Sequence, residues 1–181
     1  MPRDGYPWWF VYTFDNRLRR YLQDPQRILS RWLEPGMRVL DIGCGMGFFA
    51  IAAAELVGPE GRVTAVDVEP ALLEVVRRRA VKAGVEGRMK CHLSAAEDLD
   101  LRGTFDFALA SWSLHETTDV GQAAERISAH VKEGGRLLVT EPKLHVSPMR
   151  FRRIVEAFQE QGLTHAVDTS VPLSHTALLE P

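Results

Sequence analysis

The sequence predicts an α/β fold: a mostly parallel sheet finished by an antiparallel hairpin at its C-terminal edge. Three observations predict it. Short apolar runs alternate with segments of helical periodicity from residue 24 onward, the pattern of successive βαβ units. Glycine follows most of the helical segments, at 58, 84, 134 and 162, where a left-handed stop is expected. The last two apolar runs, 164–171 and 174–179, are separated only by Pro172 and Leu173, too few residues for the crossover that parallel strands need. A chain of 181 residues is long enough for one domain whose core needs no disulfide or metal.

The elements follow in order. Asp24 suits an N-cap and Pro25 the first helical position. Ile28, Leu29, Trp32 and Leu33 then share one face, predicting a helix over 24–33 that Glu34-Pro35-Gly36 ends. Residues 38–42 read as a strand running into a glycine cluster. A helix over 48–57, a strand over 62–68, a helix over 70–83 and a strand over 89–93 come next. After a polar connection, 105–111 is a strand, 120–132 a helix stopped by Gly134-Gly135, and 136–141 a strand. Ser147-Pro148 starts a helix through Gln161. Upstream, the aromatic stretch Pro7-Trp8-Trp9-Phe10-Val11-Tyr12-Thr13-Phe14 sets residues 1–23 apart from a domain over 24–181. It reads either as a lid or substrate wall or as rings packed on the sheet or at a dimer contact.

Charge narrows the function classes. Twenty-two basic residues against 24 acidic ones give a net charge of −2, which argues against a dedicated nucleic-acid binder. The clusters at Arg17, Arg19 and Arg20, at Arg77-Arg78-Arg79, and at Arg150, Arg152 and Arg153 read as solvated helix faces. Cys44 and Cys91 lack CxxC spacing, so no zinc site and no disulfide framework is expected. The longest apolar stretch, 48–54, falls far short of the roughly 20 residues of a membrane span, and residues 1–5 lack a signal-peptide pattern. A soluble cytoplasmic protein with no membrane or metal partner is the expectation.

The segment Asp41-Ile42-Gly43-Cys44-Gly45-Met46-Gly47 carries the chemistry. Glycines between a strand and a helix let the backbone approach a ligand closely. The dinucleotide fingerprint is G-x-G-x-x-G, but here the third glycine comes one residue early, and Asp41 would be unwelcome beside a pyrophosphate. Asp67 ends the next strand, where an acid accepts hydrogen bonds from ribose hydroxyls, with Val68 beside it for the adenine face. The loop resembles (D/E)-x-G-x-G-x-G of class I S-adenosylmethionine-dependent methyltransferases, a Rossmann-like, seven-stranded fold with helices on both faces. Ser94-Ala95-Ala96-Glu97-Asp98-Leu99 is similar to that family's G-D-A-E-x-L-P connection, and Phe105-Asp106 with Leu114-His115 to its F-D…L-H segment. Within the family, the compact ubiquinone/menaquinone-biosynthesis and type 11 groups are the ones it resembles.

The resemblance implies S-adenosylmethionine as cofactor, held by Asp41, Gly43, Cys44, Gly45, Gly47, Asp67, Val68, Ala95, Ala96 and Ser111. Ala95 departs from the family's adenine-binding aspartate, leaving the Ala96 backbone, or Ser94 as a substitute donor and acceptor, for the adenine contacts. Candidate catalytic residues are His115, His145 and Glu141, and candidate substrate contacts are Trp112, Glu116 and Lys143, all at the exits of the fourth and fifth strands, where open α/β sheets bind ligands. The expected function is methyl transfer to a small-molecule acceptor; the sequence leaves the oligomeric state open, a homodimer among the options. The alternative is a catalytically inactive cofactor-binding module acting through a protein partner, which the Ala95 departure would favour. A nicotinamide oxidoreductase is argued against by the glycine spacing and by Asp41.

Overall fold

The computed structural model describes residues 22–181. The aromatic stretch 7–14, the cluster at 17–20 and nearly all of the predicted 1–23 segment therefore lie outside the described residues. Helix α1 spans Pro25–Leu29, and Asp24 caps it by accepting the backbone N–H groups of Gln26 and Arg27. It is shorter than the predicted 24–33, because beyond Ser30 the ladder tightens into turns ahead of Pro35. Leu33 remains buried and Trp32 packs on the core, so the apolar face was read correctly although the helix is brief.

Strand β1 (Arg38–Ile42) leads through the glycine loop into α2 (Phe48–Leu56). Strand β2 (Arg62–Asp67), α3 (Pro70–Ala83) and β3 (Met89–Leu93) follow, with Gly84 in the left-handed region ending α3. Strand β4 (Phe105–Ser111), α4 (Val120–Ser128), β5 (Val131–Pro142) and α5 (Pro148–Gln159) continue the alternation, and β6 (Thr164–His165) and β7 (Ser174–Glu180) close it. The sheet has seven strands in the order β3-β2-β1-β4-β5-β7-β6. The first five are parallel to one another, and β7 runs antiparallel to both β5 and β6.

Each face of the sheet carries its own core. On one, Leu29 of α1, Phe48, Phe49 and Ala53 of α2, and Leu73 and Val76 of α3 pack on Val39, Val63 and Phe107. On the other, Ile127 of α4 and Ile154, Val155 and Phe158 of α5 pack on Leu40, Val66, Leu137 and Leu179. Covering both faces is what a parallel sheet requires.

Two expectations need correction. Gly134 and Gly135 do not stop a long helix; α4 ends at Ser128, and the glycines lie within β5. Phe105 pairs with Val131 but Phe107 pairs with Arg136, so residues 132–135 bulge out of the strand. Gly135 sits where a Cβ would meet the carbonyl oxygens of Lys132 at 2.8 Å and Asp106 at 3.0 Å. The bulge uses a glycine because the backbones press together there. The C-terminal pair is antiparallel as expected, but β6 has only two residues, and β7 takes the place beside β5. The intervening chain turns inward instead of pairing: Val171 is buried and its N–H donates to Thr176 Oγ1 at 3.1 Å. We expect Gly135→Ala to lower the urea midpoint by the equivalent of about 1–3 kcal/mol; an unchanged midpoint would show that the bulge tolerates a side chain.

Candidate active site

Strand order reverses between β1 and β4, the switch point at which open α/β sheets bind ligands beyond their carboxyl ends. The loop leaving β1 is shaped by Gly43, Gly45 and Gly47, all at positive φ (67°, 53° and 80°). At Gly43 the requirement is doubled, since a Cβ there would lie 2.2 Å from the Cβ of Ser113. Ser113 in turn donates its hydroxyl hydrogen to Ile42 O at 3.0 Å, so the exits of β1 and β4 are fastened directly. Cys44 is buried beneath the loop, and burial, then the charges of Asp41 and Asp67, push its thiol well above the ordinary range. It is a neutral packing residue rather than a nucleophile. Asp41 is 2% exposed, under the loop and not at its surface.

Asp67, at the end of β2, ties the next connection to the loop. Its Oδ2 accepts Gly45 N–H at 2.8 Å and its Oδ1 accepts Glu69 N–H at 3.0 Å. Burial raises its carboxyl pKa, the backbone N–H bonds oppose that, and the charge of Glu116 adds to the rise. Val68 follows with 60% of its surface exposed, an apolar platform at the mouth of the cleft. In the connection after β3, Ser94 Oγ donates to Ala95 O at 2.9 Å. The serine hydroxyl is thus turned onto its neighbour's carbonyl, and Ala96 packs against the core.

The exits of β4 and β5 bring His115 and Glu141 together. Glu141 is fully buried, its Oε1 accepts Leu114 N–H at 2.9 Å and its Oε2 lies 2.5 Å from His115 Nδ1. Arg150 of α5 adds a bond from Nη2 to His115 O at 2.6 Å. A carboxylate has only acceptors to offer, which places the proton on Nδ1 and leaves Nε2 as the imidazole's acceptor. Ser111 accepts the Thr140 hydroxyl hydrogen at 2.9 Å across the same two strands. Trp112 is held at φ 57°, an uncommon conformation for a non-glycine residue, and its indole N–H donates to Ser174 Oγ at 2.8 Å. Glu116 is exposed, 3.9 Å from His115 Nε2. Lys143 and His145 lie instead on the exposed turn after β5, whose backbone bonds to Leu173 O and Pro142 O.

Sequence reasoning assigned no role to Glu97, yet the structure makes it a fastener. It is 6% exposed and accepts the hydroxyl hydrogens of Thr117 and Thr118, each at 2.7 Å. The connection after β3 is thereby joined to the one after β4, on the two sides of the cleft. Burial by itself would raise this carboxyl's pKa, but the bonds from Thr117, the backbone and Thr118 hold it down at about 2. The adjacent hydroxyls at 117–118 were the available signal, though nothing local links them to residue 97.

A family model described as a methyltransferase domain matches residues 33–170. The chain belongs to this family. Among curated relatives, a demethylmenaquinone methyltransferase of Symbiobacterium thermophilum is 32% identical over 59% of this chain and 43% of its own length. A ubiquinone/menaquinone biosynthesis C-methyltransferase of Pasteurella multocida is 36% identical over 59% and 40%. Aklanonic acid methyltransferase of a Streptomyces species is 32% identical over 64% and 53%. The chain thus spans about half or less of the length of these relatives. In fold, it is similar to a SAM dependent methyltransferase from Aquifex aeolicus, with TM-score 0.82, 21% identity and 97% of each chain covered. A Methanococcus maripaludis protein described as a putative methyltransferase gives TM-score 0.77 at 14% identity, over 99% and 96% of the two chains.

S-adenosylmethionine is the cofactor of this class, and the donors and acceptors at the carboxyl edge fit it. The Asp67 carboxylate accepts backbone N–H groups of Gly45 and Glu69, with that of Val68 also acting on it, and two carboxylate oxygens offer about four acceptor positions, so capacity remains for a ribose hydroxyl. The exposed Val68 surface beside it suits the flat face of a purine.

Glu97 predicts a pH dependence with a defined sign. A carboxyl held at about 2 rather than the usual 4.5 contributes stability that is present above about pH 4.5 and lost as pH falls toward 2, on the order of 3 kcal/mol. In urea titrations at several pH values, the advantage of wild type over Glu97→Gln should shrink on acidification. A gap independent of pH would show that the carboxylate form of Glu97 is not what the threonines hold.

Proposed function

We propose that this chain transfers a methyl group from S-adenosylmethionine to a small-molecule acceptor, with His115 receiving the acceptor's proton. The observation that carries this reading is the contact of His115 Nδ1 with the fully buried Glu141 at 2.5 Å. That contact orients the ring and fixes which nitrogen carries hydrogen, as a general base requires. S-adenosylmethionine, when bound, supplies a methyl group on a sulfonium, a good leaving group. The chain's own contribution is largely positioning, worth up to about 7–11 kcal/mol when alignment is good. Gly43, Cys44, Gly45 and Gly47 would hold the methionine end with Asp41 behind them. Asp67 would take the ribose hydroxyls, while Val68, Ala95 and Ala96 would meet the adenine. Trp112, pinned by Ser174, would wall the acceptor's side, and Glu116 and Lys143 would flank its entry. The names of the relatives, which include demethylmenaquinone and aklanonic acid, support a small organic acceptor.

The placement of His145 on an exposed turn supports a lesser part for it than for His115, and Glu141 is read as a positioning residue. Two measurements test the assignment. In calorimetric titration with S-adenosylhomocysteine, Asp67→Asn should weaken binding about tenfold or more, the size of a lost charge-assisted bond; undiminished affinity would remove Asp67 from the cofactor site. With labelled S-adenosylmethionine and demethylmenaquinone or aklanonic acid as acceptor, His115→Asn should lower kcat by about 10²–10⁴ while cofactor affinity stays the same. A His115→Asn enzyme with the wild-type rate would sink the base role and leave the transfer reading intact.

A further inference from the structure

The opposite edge of the sheet holds a second polar feature that methyl transfer does not use. A groove of about 450 Å³ opens at the amino ends of β1–β4, lined by Arg38, Arg62, Arg88, Lys90 and Arg102. Strand register explains why three of these cations, Arg38, Arg62 and Lys90, converge. Arg38 pairs with Arg62, Thr64 with Lys90 and Val66 with His92, and side chains at paired positions project from one face of a sheet. On that face, α4 and α5 cover the other half of the sheet. The connection over 94–104 contains no helix, so the cationic side chains on β2 and β3 are left facing a groove.

Three of the five are pre-set. The Arg38 guanidinium lies over the Phe105 ring at 5.1 Å, Arg62 Nη1 donates to the carbonyls of Pro59 and Gly61, and Arg88 Nη1 donates to Ala54 O at 2.9 Å. A guanidinium carries five N–H donors, so each of these anchors leaves donors unspent. Among the described residues, none of the five cations forms an ion pair, whereas Lys132 is paired with Asp106 and Arg136 with Glu180. Asp100 is the acid in the lining. The Arg38 charge is partly met by Asp106, but in a chain of net charge −2 five cations against Asp100 in one lining are still a local excess of positive charge that an anion would neutralise.

We propose that this groove binds a small phosphate-bearing molecule with two or more negative charges. It lies at the end of the strands remote from Asp67, His115 and Glu141, and it stands or falls independently of the methyl-transfer reading. Planar guanidinium forks held in place by stacking and by backbone carbonyls are suited to phosphate oxygens, and the volume admits a ligand of nucleotide size.

The test is calorimetric titration of the full chain with inorganic pyrophosphate at low salt. Wild type is compared with the double variant Lys90→Glu/Arg102→Glu, which changes two exposed side chains. Saturable binding by wild type is expected, at least tenfold weaker in the double variant and fading as ionic strength rises, while the thermal midpoint without ligand stays the same. Should the reversal unfold the chain, Lys90→Ala and Arg102→Ala, taken singly, carry the same comparison. Absence of saturable heat with wild type, or equal affinity in all variants, overturns the proposal. Flotation with phosphatidylglycerol vesicles separates the two sources of phosphate. Vesicle binding without any response to pyrophosphate would also overturn it, giving this face to a lipid surface instead.

Discussion

Strand order reverses between β1 and β4, so the connection leaving β1 turns to one face of the sheet and the connection leaving β4 turns to the other. The two must nevertheless pass one another at the carboxyl edge, and Gly43 is where they touch. A Cβ there would collide with Ser113, whose hydroxyl is bonded to the last carbonyl of β1. Because no larger side chain separates the connections, the glycine loop and the His115 turn share one cleft.

Three buried carboxylates stiffen that edge, and each is satisfied mainly by neutral donors rather than by cations. Asp67 holds the glycine loop through Gly45 N–H, Glu97 holds the connection after β3 against Thr117 and Thr118, and Glu141 holds the turn after β4 through Leu114 N–H and His115. Burying a carboxylate is costly, and removing one of its donors leaves that cost uncompensated. The connections are therefore joined at fixed points, a basis for holding reactants in alignment. At the amino edge the balance shifts toward cations: Arg62 and Arg88 are anchored to backbone carbonyls and Arg38 is stacked on Phe105, while Asp106 and Glu180 are the carboxylates that meet Arg38, Lys132 and Arg136 there. A net charge near zero thus conceals two edges of different character.

Much of the molecule was legible in the chain. The bounds of α3, β3 and β4 came out as read, because each is a short run with its own periodicity and its own stop: Pro70 and Gly84 for the helix, and polar connections for the strands. The turn of the glycine loop was legible for a related reason, since close backbone approach at Gly43 demands a residue without a Cβ. The limits of α4 and β5 were not. Gly134-Gly135 signals a break wherever it occurs, and whether it ends a helix or forms a bulge depends on β4, which must lie alongside before the carbonyls of Phe105 and Asp106 can crowd Gly135. The two-residue β6 escaped for the same kind of reason, since the pull of Val171 into the core outweighed the strand pattern of 164–171.

The sequence by itself determined the alternation of strand and helix, the parallel sheet with its antiparallel edge, and the glycine spacing of the loop after β1, because all of these rest on periodicities and spacings within a few residues; S-adenosylmethionine entered through the loop's resemblance to a methyltransferase family. Only the tertiary structure decided which acid meets which donor. His115 and Glu141 are 26 residues apart, Glu97 and Thr117 are 20, and Gly45 and Asp67 are 22. No local pattern specifies such pairs. They form because parallel strands carry the carboxyl-end connections to one edge of the sheet, where a buried carboxylate must find its hydrogen-bond donors among whatever side chains and backbone groups arrive beside it.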